Sequence, residues 1–200
     1  MINPYKQSIH FFKQKTQNMK KIFLAVIIAL AMIGCNQPEK KEDTSSSKSD
    51  NTSSSKSDEM KALYEQNLST LKSSFNNFEK EDTAAMFALS ADSLVWNSPA
   101  YGDNVHTKNH WMESLKYYVN NWSNIHFSNA QFLPGVDSAT HEFDGSVRCY
   151  GRWDGTHSSG VTTQVNYYGT FEFNKDHKII SASEFFDVGG LMNAVKAGKK

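Results

Sequence analysis

The hydrophobic period of the chain changes near residue 125. Before it, Met60, Leu63, Tyr64, Leu68, Leu71, Phe75 and Phe78 recur at spacings of three and four. After it, apolar and polar residues alternate. The first spacing lines up side chains on one side of an α-helix; alternation lines them up on one face of a strand. Helices followed by consecutive strands predict an α+β domain, with the helices packed on one face of an antiparallel sheet.

The first helix runs from Met60 to Phe78 and is broken by Glu79-Lys80-Glu81-Asp82. Asp82 or Thr83 suits the cap of a short second helix reaching Ala91, because a short oxygen-bearing side chain accepts from the free amides of a first turn. Ser93–Asn97 reads as a strand ended by Pro99 and Gly102. A third helix follows, with Thr107 as cap and Trp111, Leu115, Tyr118, Val119 and Trp122 as its apolar stripe. Strands are then expected at Ile125–Leu133, Ser146–Trp153, Val161–Phe173 and Lys178–Asp187. Turns are expected at Pro134-Gly135, at Lys175-Asp176, and between Asp154-Gly155 and Ser159-Gly160. On the long strand, the odd-numbered residues Val161 to Phe173 form the core face, and Gly169 among them predicts a bend or bulge. Gly189-Gly190 precedes a terminal helix over Leu191–Val195. A curved sheet wrapped around the N-terminal helices makes a cone-like barrel, whose concave interior is a natural small-molecule pocket.

Lys and Arg together number 21, as do Asp and Glu, so the formal charge is zero. That supplies no net basic face, and no nucleic-acid partner is expected. Most of the aromatic residues lie beyond residue 60, and the roughly 140 residues there are enough to bury a core.

The N-terminal third reads differently. Lys20-Lys21 precedes about 13 apolar residues, Ile22–Gly34, and then Cys35. That run is short for a bilayer core of roughly 30 Å but suits a signal-peptide core. Met32-Ile33-Gly34-Cys35 resembles the lipobox of bacterial lipoproteins. The resemblance implies cleavage before Cys35, a lipid on its thiol, and attachment to a membrane of the bacterial envelope, with the outer membrane expected. Residues 1–34 are thus read as signal peptide, with Met19 expected as the true start. From Asn36 to Asp58, Ser, Lys, Asp and Thr dominate, and Thr-Ser-Ser-Ser-Lys-Ser-Asp occurs twice. Such a segment buries too little apolar surface to offset its ordering entropy, so residues 35–58 are read as a disordered tether and 59–200 as a single domain. With Cys35 lipidated, Cys149 has no intrachain partner and is expected to be a buried, inert thiol.

Two local motifs carry a second resemblance. One is Val95-Trp96-Asn97-Ser98-Pro99 before a Gly-containing loop and a helix. The other is Lys178-Ile179-Ile180 leading to Glu184-Phe185-Phe186-Asp187 and Gly189-Gly190-Leu191-Met192. With the order of elements, they make residues 59–200 similar to the SnoaL-like branch of the nuclear-transport-factor-like (cystatin-like α+β) superfamily. The resemblance implies a cone fold that hosts isomerases, dehydratases, epoxide hydrolases, polyketide cyclases and non-enzymatic binders. Isomerase-like members place a carboxylate base just before the proline that ends the first strand; here Ser98 stands there, and a lone hydroxyl is no carbon-acid base. Cyclase-like members use an acid on the late strands, which points to Glu184 and Asp187.

Glu184 alternates with Ile180, Ala182 and Phe186, so it shares an apolar face. If that face lines the cone, desolvation makes Glu184 a usable acid or base; the more usual outcome is a partly exposed Glu paired with a neighbour such as an arginine. Asp187 is a catalytic candidate whose ordinary role would be to cap the terminal helix. Tyr167 and His126 complete the catalytic candidates, and Trp96, Tyr101, Trp111, Trp153, Phe171 and Phe186 the expected pocket wall. His106, His110 and Glu113 have partial metal-ligand spacing but no third His or Cys, so neither a metal nor a cofactor is expected. Arg148, Tyr150 and Arg152 share one strand face, suited to solvent or to a homodimer contact that would include Tyr168. The leading expectation is a tethered domain binding a small, largely apolar ligand. An enzyme of cyclase, dehydratase or hydrolase type using Glu184, and a homodimeric interaction module, are the alternatives.

Overall fold

The computed structural model describes residues 51–102 and 105–198. The expected signal peptide, Cys35 and the expected tether as far as residue 50 lie outside the described residues. In chain order the elements are α1 (Asn51–Glu79), α2 (Thr83–Ala88), β1 (Ser90–Asn97), β2 (Val105–Thr107), α3 (Lys108–Asn121), β3 (Trp122–Val136), β4 (Phe143–His157), β5 (Thr162–Phe173), β6 (Ile179–Phe185) and α4 (Val188–Ala197). All belong to one compact unit, Ser47–Lys200.

α1 buries the stripe read from its spacing: Tyr64, Leu68, Leu71, Phe75 and Phe78 all face the core, against β4 and β3. It begins at Asn51, seven residues before the expected end of the tether at Asp58. Once the packed turns exist, each added residue gains a hydrogen bond without a new nucleation cost, so the helix extends into polar sequence. The chain leaves α1 through Glu81, in the left-handed region at φ 62°. The Asp82 carboxylate then accepts from the Ala85 amide at 2.9 Å and caps α2. Asn67, buried on α1, donates to the Gly145 carbonyl and pairs with His177 Nδ1, each at 2.8 Å. This one amide ties the helix to β4 and to the β5–β6 turn.

The sheet has six strands in the order β2-β1-β6-β5-β4-β3 and is curved but not closed, so it is not a barrel. Nor is it wholly antiparallel: β1 and β6 pair in parallel, with Trp96 beside Ala182. Alternation along β5 follows the expected faces, with Thr163, Tyr167, Gly169 and Phe171 buried. Gly169 is not a bulge; it pairs regularly with Cys149 and Glu184. Three of the register irregularities fall on edge strand β3, where Asn124 and Asn129 both adopt φ 54° and the register to β4 shifts beside each; two others lie between Ser90 and Val95 on β1 and between Glu172 and Phe173 on β5. Such bulges bend a strand and strengthen its twist.

Pro134 and Gly135 do not turn the chain. They lie within β3, where Pro134 pairs with Val147. An edge strand tolerates proline because one side of its backbone needs no donor. The reversal comes after Val136, where the Asp137 carboxylate accepts from the Ala139 and Thr140 amides. Asp154-Gly155 is likewise inside β4, and the hairpin turns at Ser158–Gly160, with Gly160 at φ 85°. Gly189-Gly190 belongs to α4 rather than preceding it.

Candidate functional site

The parallel β1–β6 pair, its antiparallel neighbour β5 and helix α3 bring four polar side chains together inside the curve of the sheet. Glu184, on β6, sits directly opposite Gly169 of β5. Tyr167, two residues from that glycine on the same face, donates its hydroxyl to Glu184 Oε1 at 2.8 Å. From β1, Trp96 Nε1 donates to Oε2 at 2.6 Å, and from α3, Trp111 Nε1 donates to the same oxygen at 3.1 Å. The glycine permits this geometry: a Cβ at position 169 would stand 2.8 Å from both the Tyr167 hydroxyl and Phe171 Cε2. Glu184 therefore faces the inside of the curve but stays partly exposed, as the more usual outcome anticipated; its partners are two indoles and a phenol rather than an arginine.

These groups form one polar end of a cavity of about 80 Å³, partly open to solvent. A water requires roughly 10–15 Å³ on such a measure, so the space admits several waters or a small organic molecule. Phe75 and Phe78 of α1, Leu115 and Tyr118 of α3, and Leu191 of α4 supply the helical wall; Ile125, Trp153 and Val165 supply the sheet wall. The wall is rigid because its rings brace one another. Phe75 lies 5.0 Å from Phe127 and 5.3 Å from Trp153, edge-on or tilted, arrangements worth about 0.5–1.5 kcal/mol per pair beyond area burial. A second polar patch includes Asp154, which meets the Ser128 hydroxyl at 2.5 Å and Arg152 Nε at 2.9 Å. Beside it Trp122 Nε1 donates to the Thr163 hydroxyl at 2.9 Å.

Burial pushes the Glu184 carboxyl above its ordinary value, and the donors Tyr167, Trp96 and Trp111 pull the other way without cancelling it. Burial and the neighbouring Glu184 charge raise Tyr167 well above the usual phenol range and Tyr118 to about 12. Burial likewise raises the Cys149 thiol, which is fully enclosed on β4. That side chain is a small core hydrophobe with no thiolate character.

Trp96, Trp111, Trp153, Phe186, Tyr167 and Glu184, all anticipated, share this cavity. The other candidates fall elsewhere. Tyr101 is fully exposed, at 107%, because its loop turns outward after Pro99. Phe171 is buried but lies behind the cavity, packed at 5.9 Å from Phe75. His126, with 66% of its side chain exposed, pairs at 3.0 Å with Glu79, which also accepts from the Phe127 amide; the bulge at Asn124 carries it outward. Asp187 caps α4, accepting from the Gly190 amide at 2.7 Å, and does not line the cavity.

Thr107 holds the cap position of α3, but its hydroxyl meets His110 Nδ1 at 3.2 Å instead of a backbone amide. His106 sits on β2, a strand not anticipated, and no trio of His, Cys, Asp or Glu suited to a metal occurs among the described residues. The Ser98 hydroxyl accepts from the Ala100 amide at 3.2 Å and so stabilises a turn. Missed from the sequence were Phe75 and Phe78: their helical spacing marked them as core but not as cavity wall.

No known protein family's sequence profile matches the chain, and no curated protein sequence matches it. Solved structures do. A putative isomerase from Bacillus subtilis is similar at 16% identity and TM-score 0.56, over 69% of this chain and 96% of the other. The BvnE pinacolase from Penicillium brevicompactum is similar at 15% identity and TM-score 0.55, over 69% and 99%. A putative polyketide cyclase from Xanthomonas campestris pv. campestris is similar at 11% identity and TM-score 0.54, over 66% and 98%. At such identities the likeness is one of fold. The expectation of fold therefore holds: the domain has the curved-sheet α+β cone fold that these structures share.

Proposed function

We propose that the chain is a lipoprotein, anchored to a bacterial envelope membrane through Cys35, whose domain holds a small, largely apolar ligand in the cone. The observation that carries the pocket reading is the cavity itself. Its walls are apolar and aromatic, its shape is braced by ring contacts, and one carboxyl fixed by three donors stands ready to orient a guest. A few convergent polar groups in an apolar hollow are the usual makeup of a ligand site. A thermal-shift screen of small organic molecules tests it, because a ligand at 100 times its Kd stabilises the native state by about 2.7 kcal/mol. A screen without any stabilising compound, together with a water-filled cavity in a crystal structure, would count against the reading.

The anchor is supported by Lys20-Lys21, the short apolar run and Gly34-Cys35 in register. No helix among the described residues is long and apolar enough to cross a membrane. Labelling cells with a radioactive fatty acid should mark the chain and should fail to mark Cys35→Ser. A labelled serine variant would remove the assignment.

Glu184 favours a second reading, proton transfer at carbon. Its affinity for a proton is raised by burial, and Tyr167 beside it can share that proton or polarise a carbonyl. The isomerase, cyclase and pinacolase labels of structures with this fold are compatible with it. Incubating the chain with small enolisable ketones in heavy water should then give deuterium uptake that Glu184→Gln abolishes. Uptake no faster than in buffer leaves the domain a binder.

A further inference from the structure

The lining of the cavity is charged in one sense only. Of its nineteen residues nine are aromatic, two are acidic, and none is Lys, Arg or His. The two acids differ. Asp154 already faces the Arg152 guanidinium at 2.9 Å. Glu184 receives only neutral donors, two indoles and a phenol, which stabilise its charge without neutralising it. Oε2 takes both indoles, while Oε1 takes the Tyr167 hydroxyl alone and keeps a lone pair for a further donor.

Aromatic rings add to the same field, since their faces carry negative potential and attract cations. An anionic guest would enter with both rings and carboxylate against it. A neutral guest would leave a desolvated carboxylate without a counter-charge, which is costly in apolar surroundings.

We infer that the guest of this cavity is a small organic cation, a substituted ammonium with an apolar body, set between the aromatic walls and Glu184. The inference rests on the pocket reading above and narrows it to a ligand class. The apolar body satisfies the walls and the positive head supplies the missing partner. The size agrees, since about 80 Å³, room for several waters on this measure, takes a compact head group.

All four tryptophans of the chain line the cavity, so its occupancy should be legible in intrinsic fluorescence. The test uses the full chain in non-ionic detergent with three probes of nearly one shape: choline, 3,3-dimethylbutan-1-ol, in which carbon replaces the nitrogen, and 3,3-dimethylbutanoate. Choline should bind at least about tenfold more tightly than the alcohol, equivalent to about 1.4 kcal/mol, and the carboxylate should not bind. In Glu184→Gln the preference for choline over the alcohol should fall to within about threefold, equivalent to about 0.7 kcal/mol. Equal or tighter binding of the alcohol by the unmodified chain overturns the cation assignment and leaves the pocket reading standing. Failure of choline and alcohol alike at about 10 mM overturns the pocket reading beneath it. The comparison of probes on the unmodified chain decides the matter even if the variant does not fold.

Discussion

Replacing Glu184 by Gln and by Leu separates the two forces acting on this carboxyl. Gln keeps a carbonyl oxygen to accept from Trp96 and Trp111, offers an amide to the Tyr167 oxygen, and carries no charge. Leu removes every acceptor and strands three inward-facing donors. Each stranded group costs about 1–3 kcal/mol, so Glu184→Leu should be less stable than Glu184→Gln by at least about 3 kcal/mol. For a domain of this size that is a fall in Tm of about 6–12 °C. The charge acts with the opposite sign. The folded pKa lies above the ordinary 4.5 of the unfolded chain, chiefly through burial. The stability this group contributes is therefore fully present below the unfolded value and is lost as pH rises through the folded one, at about 1.4 kcal/mol for each unit separating them. Glu184→Gln should accordingly gain on the unmodified chain as pH rises above 4.5, and then level off. Urea unfolding followed by tryptophan fluorescence at several pH values measures both differences. If the Leu variant matches the Gln variant, the donors do not depend on this acceptor. If the unmodified chain gains on Glu184→Gln with rising pH, the three donors outweigh the burial of the charge.

Three further outcomes follow from other contacts. Asn67→Ala should destabilise the domain by about 2–4 kcal/mol, since it breaks one buried and one part-buried hydrogen bond and strands the Gly145 carbonyl; urea midpoints check it. Gly169→Ala should cost about 1–3 kcal/mol through overpacking and displace the Tyr167 hydroxyl from Glu184, visible in tyrosine ultraviolet difference spectra. On the outer face of the sheet Tyr168 stacks between Tyr150 at 4.7 Å and Phe185 at 5.5 Å, an aromatic ladder with Tyr150 and Phe185 open to solvent. Light scattering should show a dimer that Tyr168→Asp dissociates; a monomeric mass for the unmodified chain would end that idea.

Local spacing made much of this legible. Strict alternation placed Tyr167 and Phe171 on the core face and Arg148, Tyr150 and Arg152 on the other, because a strand's parity survives whatever it pairs with. Parity also put Glu184 among apolar neighbours. It could not name the partners of that carboxylate, because Trp96 and Trp111 lie 88 and 73 positions away in sequence. The chemistry of the site is thus a product of tertiary register. Pro134-Gly135 misled because a proline signals a turn only where the strand has neighbours on both sides, and edge position is not written locally. His126 misled for a related reason: a bulge at Asn124 resets which residues point inward, and an asparagine inside a strand does not announce one.

The parallel joint between β1 and β6 bears on how such a domain is assembled. Its halves leave the ribosome about ninety residues apart, and β1 has only the three-residue β2 as an alternative neighbour. Contacts so distant along the chain slow folding, because the loop between them must close before they are rewarded. Glu184 travels on the later half. A nascent chain lacking its last twenty residues would present two tryptophans and a tyrosine around an unfilled seat. Any truncation near the carboxyl end should therefore yield a product that chaperones and proteases recognise, not a domain that works poorly.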